Sequence, residues 1–183
     1  MKIIPAEIPD VLLIKPQIFE DDRGFFYESY NLSKFQQAGI LPTFIQDNHS
    51  RSIKNTLRGL HYQINPGQDK LVRVIVGEVF DVAVDIRFGS PTYGKWVGMH
   101  LSAKNKQQVF IPKGFAHGFC VLSEVAEFEY KCSEFYSSQD ERGILWNDLD
   151  LNIAWPVDDP ILSEKDKSNP SFKSISKDFR YSK

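Results

Sequence analysis

Two apolar runs lie back to back in this chain, Lys-Leu-Val-Arg-Val-Ile-Val-Gly at residues 70–77 and Glu-Val-Phe-Asp-Val-Ala-Val-Asp-Ile-Arg at residues 78–87. Their β-branched and aromatic content makes them the clearest strands in the sequence. In the second run a period of two puts Phe80, Val82, Val84 and Ile86 on one face and Asp81 and Asp85 on the other. The acidic face is expected to meet water at Asp85, while Asp81 can instead pair with a lysine inside a pocket. Shorter runs of the same kind occupy residues 11–14, 17–19, 25–30, 44–50, 57–63, 96–101, 107–112, 121–122 and 126–132. Turn sequences such as Asp21-Asp22-Arg23-Gly24, Asn65-Pro66-Gly67 and Ser90-Pro91-Thr92-Tyr93-Gly94 separate most of them. About ten short strands with this punctuation predict a closed antiparallel sandwich or barrel.

One helix is expected in the first half, over residues 32–38, capped by Asn31 and ended by Gly39. After Ser137 the pattern turns irregular, and Ser163-Glu164-Lys165-Asp166-Lys167 has the composition of a solvated helical turn. With no repeat and no low-complexity linker, residues 1–183 are expected to form one domain with an extended C-terminal tail. The apolar fraction of 42% is enough for a real core, and 14 Phe favour sheets and flat binding pockets. A net charge of −2 offers no basic footprint for nucleic acid. No apolar run approaches the ~20 residues that span a bilayer, and the start lacks a signal-like apolar region, so a cytoplasmic location is expected. Cys120 and Cys132 both sit in apolar strand-like segments and are expected to be buried, reduced thiols.

The stretch Thr56-Leu57-Arg58-Gly59-Leu60-His61-Tyr62-Gln63 places a cation, a glycine and an imidazole inside a strand pattern. An Arg and a His in a half-buried surface are costly unless something uses them. The plainer reading is a solvated Arg58 and a hydrogen-bonded core His61. Strict alternation also sets Arg58 and His61 on opposite faces. Both can meet one ligand only if the strand bulges, which Gly59 permits, or if Arg58 sits at a rim.

Pro112-x-Gly114-x-x-His117 after a strand resembles the second half of the cupin signature, which implies a mainly β, cupin-type jelly-roll (double-stranded β-helix) barrel with a few short helices. Metal-dependent cupins carry His-x-His followed by Glu in the first half. Here Gln63 stands at the second His position, and His61 with His117 falls short of the roughly three ligands a metal site needs. A closer resemblance rests on Asp22-Arg23-Gly24-Phe25-Phe26, residues 44–50, residues 57–63, Lys70-Leu71-Val72-Arg73, residues 76–87 and residues 111–119. These six ordered motifs resemble the dTDP-4-dehydrorhamnose 3,5-epimerase family.

That resemblance implies a dTDP-linked 4-keto-6-deoxy sugar as substrate and a homodimer. It also implies epimerisation at C3 and C5 with no metal and no cofactor, because the C4 carbonyl already acidifies both neighbouring C–H bonds. It assigns His61 as base, Asp166 as the carboxylate that orients it, Lys70 as the cation beside the sugar O4, and Tyr130 as the proton donor on the far face. It places Arg23, Arg58 and His117 on the substrate, with guanidinium suited to the diphosphate. It places Glu28, Gln46, Asp47 and Asn48 around the nucleotide, and Glu141 and Lys165 at further contacts. Phe25 and Tyr136 are candidate stacking faces, with core packing as the alternative. Two other readings remain: a metal-dependent cupin oxygenase or isomerase, against which Gln63 stands, and a non-catalytic nucleotide-sugar barrel, which has no need of an acid–base set.

Overall fold

The single glycine between the two apolar runs is where the chain leaves one sheet for another. In the computed structural model, which describes residues 1–182, Gly77 has φ +77°, and a Cβ there would fall 2.1 Å from the Val125 carbonyl oxygen. Only glycine allows the chain to cross at that distance.

The strands in chain order are β1 (Lys2–Pro5), β2 (Leu12–Lys15), β3 (Phe19–Asp21) and β4 (Gly24–Phe26). Helix α1 (Leu32–Gln37) follows, then β5 (Gln46–Ile53), β6 (Leu57–Gln63), β7 (Lys70–Val76), β8 (Glu78–Asp85) and β9 (Trp96–Ser102). The set ends with β10 (Gln108–Ile111), β11 (Phe115–Val121), β12 (Val125–Cys132), β13 (Glu141–Gly143) and helix α2 (Glu164–Lys167). One sheet has the order β1-β2-β10-β7-β12-β5 and the other β13-β6-β11-β8-β9, while β3 and β4 form a separate hairpin. From β5 to β8 every strand switches sheet, and the same alternation returns from β10 to β13. This threading makes a mainly β barrel of jelly-roll type with short helices.

Between the sheets lie Val72, Val74, Val79, Ala83, Phe119 and Phe128 among others, all buried. Burying one such aromatic or branched side chain stabilises the fold by roughly 1.5–3 kcal/mol. Val82, Val84 and Ile86 face outward from the five-stranded sheet and are covered by Ile144, Leu151, Trp155, Phe172 and Phe179. The irregular C-terminal segment is therefore a second layer of core. Its end is tied down by Phe88 N–H donating to the Phe179 carbonyl at 2.9 Å and by Arg87 stacked on Tyr181 at 5.2 Å.

The barrel interior corrects the expectation for Asp85, which shares the inward parity of Val79 and Ala83. With both faces of the sheet covered, Asp85 has no exposure; it accepts from Arg87 at 2.9 and 2.8 Å and from Ser90 and Thr92 at 2.6 Å each. Desolvation opposes its ionisation, but these donors hold its carboxyl below the usual range. The strand expected over residues 25–30 is confined to Gly24–Phe26, because Glu28 and Asn31 turn the chain into the N-cap of α1, where the Asn31 side chain accepts from Lys34 N–H. Cys120 and Cys132 are free and buried, as expected.

Candidate active site

Strand β6 carries the residues that matter most, and its local geometry settles which way they point. Opposite it on β11, His117 pairs with His61 and Phe119 with Arg58. Three steps along β6 therefore match two along β11, which is a bulge of one residue. Gly59 sits in it with φ +124°, and a Cβ there would lie 2.6 Å from Gly118 Cα and 2.7 Å from the His117 carbonyl. The extra residue reverses the parity of the strand. Arg58 and His61 consequently line the same cavity.

That cavity has a volume of about 440 Å³. His61 and His117 enter it from the five-stranded sheet, Lys70 and Tyr130 from the six-stranded sheet, and Ser163, Lys165 and Asp166 close its rim. A smaller recess of about 90 Å³ adjoins it, lined by Gln46, Asn48, Cys132 and Tyr136, and bordered by the same His61, Lys70, Tyr130 and Glu141.

Asp166 reaches His61 across 105 positions of sequence, with Oδ1 at 2.5 Å from Nε2. Asp166 is 3% exposed. Burial alone would raise its pKa, but His61, the Ser163 hydroxyl and a backbone N–H of Gly59 hold it below the usual value. An ionised acceptor at Nε2 fixes the proton on that nitrogen and leaves Nδ1 as the basic lone pair. The charged run is thus no freely solvated turn at Asp166, although Glu164 and Lys167 are exposed.

Lys70 makes no ion pair among the described residues, and burial pushes its ammonium below the ordinary lysine range, against the partial opposition of Cys132, Glu141 and Asp81. The Tyr130 phenol is pushed up to about 12, chiefly by burial and further by Cys132 and Glu141, with Arg58 opposing. It holds its proton throughout the neutral range. Asp81, which the sequence allows as a lysine partner, instead accepts from His117 Nε2 at 2.8 Å; both side chains are buried. Its carboxylate points into the barrel because it shares the parity of Val79 and Ala83.

Arg58, His117, Glu141 and Lys165 line the main cavity, and Gln46, Asn48 and Tyr136 the recess. Four assigned residues lie elsewhere within the chain. Asp47 turns outward to Lys131 at 2.9 Å, since a strand that points Gln46 and Asn48 inward must point the residue between them out. Glu28 pairs with Lys34 at 2.8 Å. Arg23 and Phe25 sit on the β3–β4 hairpin, which projects from the barrel; Arg23 bonds Asp21 at 2.6 Å and Lys106 lies 4.2 Å over the Phe25 ring. Conversely, Ser50, Phe119, Phe128, Ile161 and Leu162 line the cavity although the sequence assigns none of them a role. Ser50 follows from extending the alternation of Gln46 and Asn48; Ile161 is placed only by its pairing with Thr56. Among the described residues no group of three or more His, Cys, Asp or Glu is placed to hold a metal ion.

The family model for dTDP-4-dehydrorhamnose 3,5-epimerase matches residues 5–174. The dTDP-4-dehydrorhamnose 3,5-epimerase of Shigella flexneri is 61% identical over 174 residues, covering 94% of this chain and 96% of that protein. Its counterpart in Pseudomonas aeruginosa is 59% identical over 174 residues, with the same coverage of 94% and 96%. The crystal structure of dTDP-6-deoxy-D-glucose-3,5-epimerase from Legionella pneumophila Philadelphia 1, in complex with dTDP-4-keto-L-rhamnose, superposes with a TM-score of 0.96 at 49% identity. That match covers 100% of this chain and 99% of the other. A cavity with an oriented imidazole facing a protonated phenol, inside a barrel shared so closely with these proteins, leads to one classification: the chain belongs to the dTDP-4-dehydrorhamnose 3,5-epimerase family.

Proposed function

We propose that this chain converts dTDP-4-dehydro-6-deoxy-D-glucose to dTDP-4-dehydro-L-rhamnose by inverting C3 and C5, with His61 as base, Tyr130 as acid and Lys70 as the cation at O4. The observation that carries this reading is the placement of His61 and Tyr130 on opposite sheets around one cavity, with Lys70 on the same sheet as Tyr130. His61 Nδ1 removes the proton from C3 or C5, the electrons move onto O4, and the Lys70 ammonium stabilises the enolate oxygen. Tyr130 returns a proton from the other side of the ring, which inverts the centre. The resulting phenolate recovers its proton from solvent, and His61 releases the one it took. Arg58 and His117 lie where they can meet the diphosphate and sugar, and the amides of Gln46 and Asn48 offer donors and acceptors to a nucleotide base.

Heavy-water exchange followed by NMR tests the catalytic reading. The wild-type protein should label both C3 and C5, whereas a binding barrel would label neither. In Tyr130→Phe, label should still enter through His61, while inversion slows by about 10²-fold or more. Unchanged inversion in that variant would remove Tyr130 from the mechanism.

The homodimer belongs to the same proposal. Phe19 and Phe26, paired across the β3–β4 hairpin, are 57% and 71% exposed, and Phe25 on its other face is 59% exposed, apolar surface of the kind that soluble chains cover. A second copy supplies that cover and gives Arg23 and Phe25 a cavity to reach other than their own. Sedimentation equilibrium should return a dimer mass, with Phe26→Ser shifted toward monomer; a monomer at every concentration tested would refute it. No helix of the described residues is long and apolar enough to cross a membrane, and a nucleotide-sugar substrate supports a cytoplasmic location.

A further inference from the structure

Three of the assigned contact residues are occupied with one another. Glu141 Oε2 accepts the Tyr136 hydroxyl at 2.7 Å and also pairs with the Lys165 ammonium. The Glu141 side chain is 18% exposed, so this junction is held inside the rim of the cavity. On one side it is anchored firmly. Glu141 pairs with Gln63 on β6, two residues from His61. The Gln63 amide donates to the Pro66 and Phe135 carbonyls at 3.0 and 3.1 Å and accepts from Ser137 N–H at 2.8 Å, while Tyr136 N–H donates to Gln46 at 2.9 Å.

On the other side is α2, a helix of four residues. A single turn has no stability of its own, because nucleation outweighs its few hydrogen bonds. Its position depends on tethers: Ser163 capping Asp166 N–H at 3.1 Å, the Ile161 strand-like link to Leu57 at 3.0 Å, and the pair between Lys165 and Glu141. Lys165 immediately precedes Asp166. Whatever fixes the one fixes the other.

We infer that Glu141 is a positioning residue, which grips Lys165 to hold Asp166, and through it the imidazole of His61, in its working orientation. This rests on His61 being the base. It gives Glu141 a role other than contacting substrate, with Tyr136 steering the carboxylate toward Lys165. The carboxylate is ionised, as the grip on an ammonium requires. Desolvation opposes that charge, but Lys165, Tyr136 and the nearby His61 hold the Glu141 carboxyl below its ordinary range.

Steady-state kinetics separate a positioning role from a contact. Glu141→Ala should lower kcat by about 10- to 100-fold while KM stays within about threefold, since the loss is one of alignment. Glu141→Gln, which keeps an acceptor of the same shape but not the charge that grips the ammonium, should recover only part of kcat. Lys165→Met breaks the same link from the helix side and should reproduce the kcat loss even if the Glu141 variants fold poorly. In an Asp166→Ala background, Glu141→Ala should cost less than about a further twofold, because the residue it acts through is gone. A rise in KM with unchanged kcat would make Glu141 a substrate contact and overturn the inference, as would a full, additive loss in the Asp166→Ala background. Failure of the wild-type protein to exchange deuterium at C3 and C5 would instead sink the base assignment itself.

Discussion

His61→Ala should abolish deuterium entry at C3 and C5 together and reduce turnover by about 10³- to 10⁴-fold, near the upper range for removing a positioned general base. The joint loss is the informative part. His61 has an ionised carboxylate fixed on one nitrogen and no hydrogen bond at the other among the described residues, and in the proposed mechanism both carbons surrender their protons to it. His117 lines the same cavity and also sets its Nε2 on a carboxylate, but its side chain is 8% exposed against 28% for His61, which makes it the weaker alternative. If His61→Ala lost exchange at only one carbon, a second base would have to serve the other, and His117 would be the first to test. Asp166→Asn provides the companion result. The amide keeps the shape but not the charge, so the tautomer is no longer fixed and turnover should fall by about 10²-fold or more. Full activity in Asp166→Asn would show that the short contact is structural only.

Lys70→Met should cost about 10²- to 10³-fold in kcat, the scale of removing one preorganised charge from a developing oxyanion. Lys70→Arg should keep part of the rate and change the pH profile. The Lys70 ammonium must be protonated to stabilise the enolate, so its contribution is present below its pKa and lost as pH rises through it. Burial sets that pKa below the ordinary lysine value, while the Tyr130 phenol is held up to about 12. The first alkaline loss of kcat therefore belongs to Lys70 and should begin below the ~10.4 of a free lysine. A guanidinium stays charged over that range, so Lys70→Arg should extend the plateau toward higher pH. An alkaline limb that starts at the same pH in both proteins would remove Lys70 from the role.

Much of the barrel is legible because a two-residue period is a direct image of the pleat: β5, β7, β8 and β12 all lie near their sequence-derived positions. The same period, used one step further, separates Gln46 and Asn48 from Asp47, which reading the three as a block obscures. The bulge at Gly59 is posed by the sequence as a conflict between Arg58 and His61, but its solution needs the β11 backbone that crowds the glycine. Asp85 escapes sequence reading because an acidic face looks the same whether it meets water or, as here, turns inward with Val79 and Ala83 and accepts from Arg87, Ser90 and Thr92. The pairing of Asp166 with His61 is legible only through family resemblance. No local pattern connects two residues 105 positions apart.

The alternating thread of the barrel also bears on substrate choice. The proposed base and acid, His61 and Tyr130, hang from separate walls, so the gap between them is a property of how deep the sandwich is packed. Phe119 and Phe128, stacked at 4.2 Å between centroids, act there as a spacer. A smaller ring at either place would bring the walls closer or let them tilt, changing which sugar centres lie in line with both groups. Regioselectivity in such a barrel can thus be retuned by side chains that take no part in proton transfer.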